Sequence, residues 1–372
     1  MTELTLLINA AALRGQGSAW LGAKLSVALC EVWEPDPVQA WVPAAWPLGR
    51  AELPNNLSLR PVAAGPAHKF WVDNVSVPHC RAGKRRCILS FGDTGPVNPR
   101  APHVLFVQQA FLAYPPRLWT SSIPWKLRAK FLLMEKYFAA GLRNVSLFLV
   151  QSKAMQTNLC ERWDLPSDRV RVVSVPARDL PQEPLMHPGE SGRFELLCIT
   201  GPNTYKNNSV LPQILADLTA LGIDASCVAT VSARQAPALL QSAKSLGVAD
   251  RLDLIGQVDE SRIGHLLGRA FAVVLPSTLE SYGLPYYEAM SAGRPIVASD
   301  RSFAREACAD AALYADPGDS ASFSCRVLEL ARSASLAREL SQKALARFQA
   351  VNTTWTGTAE GMASILREAA DS

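Results

Sequence analysis

Short apolar runs recur along this chain, separated by stretches in which apolar residues return at helical spacing. In the first half, Leu4–Asn9, Val38–Val42, Leu57–Pro61, Cys87–Phe91, His103–Val107, Leu147–Val150 and Val170–Val175 read as strands. Helices are expected from Ser18 to about Val32 and over Ser152–Trp163, with Ser18 and Ser152 as N-caps. Between Tyr114 and Phe138, Leu127, Phe131, Met134 and Phe138 share one helical face, which is expected to turn into the core. The second half alternates more cleanly. Strands at Phe194–Thr200, Ala225–Val231, Leu252–Ile255, Phe271–Leu275 and Pro295–Ser299 are separated by helices near Asn208–Leu221, Ala236–Leu246, Glu260–Gly268 and Pro285–Ala292. That rhythm predicts a parallel, doubly wound sheet, whose ligands bind at the carboxyl ends of the strands.

Length fits two such domains: 372 residues exceed one ordinary domain. The expected division is an N-terminal domain over 1–176, a proline-rich linker over 177–192, a second domain over 193–354, and a last helix over 355–372. Hydrophobic residues make up 48% of the chain, enough for two cores, yet no run of eighteen apolar residues suggests a membrane span. The chain starts almost directly with a strand, so no secretory signal is expected, and a cytoplasmic location is. Eight scattered cysteines show no good metal spacing; His79, Cys80 and Cys87 are a poor zinc match.

Charge adds an asymmetry. Residues 1–176 hold 20 Lys/Arg against 11 Asp/Glu, while residues 177–372 hold 17 against 22. A basic first half suits an anionic partner, such as a membrane surface, as well as a merely solvated face. The run Arg81–Arg86 and a second face of the Tyr114–Phe138 stretch, with Lys126, Lys130, Trp119 and Trp125, are the candidate contacts. No nucleic-acid-binding motif accompanies the basic residues.

The densest chemistry lies in Pro276–Asp300, PSTLESYGLPYYEAMSAGRPIVASD. An apolar strand runs into a loop with Glu280, Ser281, Tyr282, Gly283 and Leu284, and Pro285 suits the first position of a helix. Glu288 is expected in its first turn and Gly293 as its stop. A turn feeding a helix N-terminus collects unpaired N–H groups and favours an anion. Two carboxylates beside it suit hydroxyls, because an ionised carboxylate only accepts hydrogen bonds. A diphosphate on the turn with polyol groups on Glu280 and Glu288 describes a sugar nucleotide.

Glu280 and Glu288, seven residues apart within P-S-x-x-E-S-Y-G-L-P-x-x-E-A-M-x-A-G-x-P, resemble the E-x7-E signature of retaining family 4 glycosyltransferases. The resemblance implies the GT-B fold: α/β, two Rossmann-like domains facing an interdomain cleft, with a C-terminal helix crossing back to the N-terminal domain. It implies a nucleotide-diphosphate sugar donor and a glycan or lipid-linked hydroxyl acceptor. Residue by residue, Glu280 would hold sugar hydroxyls and Glu288 the ribose. Lys206, in Gly201–Asn208 (GPNTYKNN), would meet the diphosphate beside Asn207, together with the backbone of Ser281, Tyr282, Gly283 and Leu284. The backbone of Gly256 and Val258 would surround the base, and Gly17, in a loop Ala10–Gly17, would face the diphosphate and acceptor.

Three positions depart from that pattern. Gln108 stands where many of these enzymes carry a histidine, so no acid or base is expected there, only a sugar contact. No arginine stands between Arg193 and Lys206, where a second cation is common. Ser281 replaces a usual glycine. With no acidic pair in a metal-binding context, neither metal nor other cofactor is expected. A sugar phosphorylase of the same fold, or a catalytically weak sugar-nucleotide-binding partner, remains the alternative.

Overall fold

The computed structural model describes residues 3–13, 16–46, 53–81, 83–118, 123, 125–185 and 194–371. It divides into two compact units, the first taking in the chain up to Pro176 apart from Arg117–Ile123, together with Thr353–Ser372. The second comprises Ala177–Asn352 and Arg117–Ile123.

The first unit holds β1 (Leu4–Asn9), β2 (Val38–Pro43), β3 (Leu57–Val62), β4 (Arg85–Phe91), β5 (His103–Phe106), β6 (Leu147–Val150) and β7 (Val170–Val172). All pair in parallel, in the order β3-β2-β1-β4-β5-β6-β7. Every residue of β1, β5 and β6 is buried, as expected of strands covered on both faces, which read as continuous apolar runs. Its helices are α1 (Gln16–Trp33), α2 (Pro66–Trp71), α3 (Ala110–Ala113), α4 (Trp125–Gly141) and α5 (Lys153–Trp163). A π-helical turn, Val72–Ser76, continues α2, and both lie between the strands expected at Leu57–Pro61 and Cys87–Phe91.

Some local expectations need correction. The first helix begins at Gln16, so Gly17 and Ser18 lie inside it rather than in a preceding loop and an N-cap. Gly15 and Trp119 lie outside the described residues. Ser152 does cap α5, accepting the Met155 N–H at 3.2 Å. On α4, Phe131 and Phe138 are buried and Leu127 and Met134 half-buried, so that stripe faces the core.

The second unit holds β8 (Phe194–Cys198), β9 (Ala225–Ala229), β10 (Leu252–Leu254), β11 (Ala272–Leu275), β12 (Ile296–Ser299) and β13 (Ala312–Ala315). They too are parallel, in the order β10-β9-β8-β11-β12-β13. Helices α6 (Leu211–Ala220), α7 (Pro237–Ser245), α8 (Glu260–Arg269), α9 (Leu284–Ser291), α10 (Ser302–Cys308), α11 (Ser320–Arg332) and α12 (Ala334–Val351) connect and follow them. Leu196, Leu215, Val274 and Phe323 belong to one buried cluster between sheet and helices. The closing helix α13 (Trp355–Asp371) belongs to the first unit, where Thr358 Oγ1 donates to the Ser174 carbonyl at 2.9 Å and Glu368 pairs with Arg171 at 2.7 Å.

In both sheets the chain first adds strands on one side and then returns to the other. The switch falls between β1 and β4 in the first unit and between β8 and β11 in the second. Crevices at such points, beyond the carboxyl ends of the strands, are where doubly wound sheets bind ligands.

Candidate active site

The motif residues gather at the second switch point. The loop after β8 carries a 3-10 turn, Thr204–Lys206, ended by Asn207 in the left-handed conformation at φ 54°. Asparagine tolerates that geometry better than most residues. Its side-chain nitrogen donates to the Pro317 carbonyl at 2.9 Å, so Asn207 braces the loop after β13 rather than presenting its amide to a ligand. Asn208, buried, donates to the Gly201 carbonyl at 2.9 Å and accepts from Thr200 Oγ1 at 2.7 Å, which closes the loop on itself.

This loop is tied to the one after β11. The Thr278 N–H donates to the Tyr205 carbonyl at 2.7 Å, and Lys206 Nζ meets Glu280 Oε1 at 2.6 Å. Both charged side chains are largely covered, at 17% and 13% exposure. Burial works against the lysine charge, but Glu280 more than offsets it and holds the ammonium above its ordinary value. A cation and a carboxylate are thus held together beside a turn leading into a helix.

That turn is built around Gly283, at φ 78°, the N-cap of α9. A Cβ there would stand 2.5 Å from Tyr286 Cδ2, so both dihedral and space demand glycine. Tyr286 is buried beneath the turn, and its hydroxyl has no hydrogen-bond partner among the described residues. Tyr282 stacks on Tyr287, with ring centroids 4.4 Å apart. Ser281 is not among the positive-φ residues, so serine fits this backbone without strain. The helix starts at Leu284, which places Pro285 second rather than first. Gly293, at φ 64°, ends it: its N–H bonds Met290 and the Arg294 N–H bonds Ala289, the paired pattern of a Schellman stop.

Glu288 is not in the first turn of α9, which contains no acidic residue. It is buried, and Arg178 Nη1 stands 3.6 Å from its Oε1. Complementing the helix dipole therefore does not explain it. The cation missing from the Gly201–Asn208 loop has a counterpart here, supplied from the linker. Only the tertiary structure reveals that partnership, because Arg178 precedes Glu288 by more than a hundred residues.

Gly256 is buried just beyond β10, with φ 76°, and Val258 is half-buried. Val258 helps line a cavity of about 300 Å³ at the carboxyl ends of β8, β9 and β10, with Thr200, Gly201, Thr230 and Gln257. A larger cavity of about 1100 Å³ lies at the opposite edge of the same sheet, against Glu195, Ser226 and Arg294. It touches none of the expected site residues, and the amino-terminal edge of a parallel sheet is the wrong edge for the ligand. The two remaining expected contacts, Gly17 and Gln108, belong to the first unit: Gly17 inside α1, and Gln108 just beyond β5.

Residues 195–347 match the family model described as glycosyl transferases group 1. Among curated proteins, the chain is 39% identical over 75 residues to O-antigen chain mannosyltransferase B of Escherichia coli, covering 20% of each. It is 32% identical over 88 residues to O-antigen chain mannosyltransferase RfbU of Salmonella typhimurium, covering 24% of this chain and 25% of that protein. These matches thus span about a fifth to a quarter of the curated relatives. Among solved structures, a sucrose-phosphate synthase from Thermosynechococcus elongatus superposes with TM-score 0.73 over 98% of both chains at 16% identity. WaaG, a glycosyltransferase involved in lipopolysaccharide biosynthesis, gives 0.69 over 98% of this chain and 99% of that one at 15% identity. Anabaena HepE, solved with UDP and glucose, gives 0.67 with the same coverage, also at 15% identity. Likeness at that identity establishes the fold, which is GT-B. The model match runs through nearly all the strands and helices of the second unit, so residues 195–347 are similar to glycosyl transferases group 1.

Proposed function

We propose that this protein is a retaining, metal-independent glycosyltransferase of the family 4 type. It moves a sugar from a nucleotide-diphosphate donor to a hydroxyl of a glycan or lipid-linked acceptor. The observation that carries this reading is the Lys206–Glu280 pair at 2.6 Å, set against the Ser281–Leu284 turn at the start of α9. The diphosphate would rest on the backbone N–H groups of that turn, with Lys206 turning from Glu280 towards it. Glu280, released, would hold hydroxyls of the donor sugar. The cavity beside Val258 has room for the nucleoside, and Glu288 would take the ribose.

In the transfer, the acceptor oxygen bonds to the anomeric carbon as the bond from that carbon to the phosphate oxygen breaks. The electron pair stays on the diphosphate, and the acceptor proton passes to it on the same face. Lys206 and the turn stabilise the growing negative charge without a metal. The mannosyltransferase relatives and the UDP- and glucose-bound neighbour favour a hexose donor and a role in bacterial cell-surface polysaccharide synthesis.

A peripheral, cytoplasmic contact with anionic membrane belongs to the same reading. No helix among the described residues is long and apolar enough to cross a membrane. Yet α4 exposes Trp125, Leu132 and Leu133 on one side, with Arg128 and Lys136 among them. Phe70 and Trp71 of α2 are exposed too, and Phe70 lies 6.2 Å from Tyr137 of α4. The run at Arg81–Arg86 contributes less than its charge suggests: Arg85 pairs with Asp371, and Arg86 donates to the Cys80 carbonyl.

A thermal-shift screen with UDP-, GDP-, ADP- and dTDP-sugars, repeated in EDTA, tests the donor site. At least one should stabilise the protein in a metal-independent way, and Lys206→Ala should abolish the shift. Silence from the whole set would sink the reading. For the membrane, flotation with phosphatidylglycerol vesicles should carry the wild type, and Trp125→Ser with Leu133→Ser should reduce it severalfold.

A further inference from the structure

The first switch point is built at comparable expense, yet the motif chemistry leaves it unused. Asn9 ends β1, Asp93 follows β4 by two residues, and Gln108 follows β5 by two. Asn9 Nδ2 donates to Asp73 Oδ1 at 2.7 Å, while Lys69 Nζ and the Tyr137 hydroxyl reach Asp73 Oδ2 at 2.5 and 3.0 Å. Asp73 is thus a buried carboxylate with both oxygens occupied and a cation beside it.

Asp93 is different. It is 5% exposed and holds φ 75°, a conformation that side-chain-bearing residues seldom adopt. Its Oδ1 accepts the N–H groups of Gln108 and Gln109, each at 2.6 Å. Its Oδ2 makes no hydrogen bond to a described residue. Gln108 Nε2 is buried with no partner among the described residues. Fixing the loop requires one oxygen, which asparagine would also supply. Asp93 Oδ2 is left available to accept, and the buried Gln108 donor left unmade is unfavourable unless something accepts from it. Such groups, on a strained backbone at a switch point, mark a place completed by a ligand.

We propose that Asp93 and Gln108 bind the acceptor, and that its reacting end is a neutral sugar ring presenting neighbouring hydroxyls. This inference rests on the transferase reading above. The ionised Asp93 only accepts, and the Gln108 amide nitrogen only donates. One hydroxyl donating to Oδ2 and a neighbouring oxygen accepting from Nε2 satisfies both. A phosphate or carboxylate in the same place meets Asp93 as a like charge and is disfavoured. Gln108 thereby serves the acceptor as a donor group, a task that does not require histidine.

The test uses the full chain and methyl α-mannoside, methyl α-glucoside and methyl α-galactoside as probes, with binding followed by saturation-transfer NMR. At least one should bind the wild type. Asp93→Asn keeps the oxygen for both N–H groups and should weaken binding about tenfold or more, as expected for loss of a charged hydrogen bond. Gln108→Ala removes a side-chain nitrogen with no partner in the structure, so folding is spared, and it should weaken binding severalfold. Asp93→Asn should keep the wild-type response to the nucleotide sugars. Wild-type affinity in Gln108→Ala, wild-type affinity in a folded Asp93→Asn, or no glycoside binding to the wild type would each overturn the inference. Failure of the wild type to bind any nucleotide sugar would instead overturn the transferase reading.

Discussion

The two switch points solve the same problem in opposite ways. Between β8 and β11, Lys206 and Glu280 neutralise one another at 2.6 Å, which leaves little unpaired charge there. Between β1 and β4, the cation Lys69 is paired with Asp73, and buried Asp93 has backbone N–H groups as its hydrogen-bond donors among the described residues. The first arrangement suits a charged ligand: a diphosphate can take the lysine while sugar hydroxyls take the carboxylate. The second suits an uncharged polyol, because nothing there compensates a second anion.

The sharpest way to break this comparison is to remove either half of the ion pair. Lys206→Ala and Glu280→Ala should each lower turnover about 100- to 1000-fold, the scale seen when a group stabilising developing charge is lost. Each also strands its partner as a half-buried charge, so both variants should be less stable than wild type. Turnover near the wild-type value in both would show that this pair is structural.

Asp93→Asn should act in the other direction on stability. Burial raises the Asp93 carboxyl to about 6, although the Gln108 and Gln109 N–H groups and Lys69 pull it down. An acid raised in the folded state favours folding below its ordinary range and loses that contribution as pH climbs through about 6. Asparagine cannot ionise, so at pH 8 the variant should gain roughly 2 to 3 kcal/mol, a gain that shrinks towards pH 4. Urea unfolding at the two pH values reads this directly. An equal gain at both would mean that ionisation is not the cause.

Gly283→Ala probes the turn itself. Alanine must hold φ 78° and place its Cβ against the Tyr286 ring, which should cost about 1 to 3 kcal/mol and displace the start of α9. Donor KM should rise more than kcat falls if the turn binds the diphosphate before and during reaction, as proposed. The smallest effect is expected from Arg178→Ala. At 3.6 Å from Glu288 and partly exposed, it contributes about 1 kcal/mol or less, so donor affinity should fall only severalfold. A loss as large as that of Lys206→Ala would promote Arg178 to a principal phosphate ligand.

Legibility followed locality. Strand and helix alternation in the second half was readable because buried parallel strands are continuous apolar runs. The exposed Leu132 and Leu133 were missed on α4 because Leu127, Phe131, Met134 and Phe138 already supplied a complete stripe. The helix α2 and its π-helical turn were missed as well, since six residues carrying Pro66 and two aromatics give no clear period. Asp93 passed unnoticed because a single aspartate between glycines reads as an ordinary turn.

Within Pro276–Asp300, the chain alone determined the turn, its glycine, the helix that follows and the chemistry these can offer. All of that is written in backbone preferences of adjacent residues. Tertiary structure decided which charges meet. Lys206 reaches Glu280 because β8 and β11 lie side by side after a crossover through β9 and β10. Arg178 reaches Glu288, and Asp93 gathers the Gln108 and Gln109 amides, for the same kind of reason. Strand order is a collective outcome of packing, and no local pattern of residues encodes it.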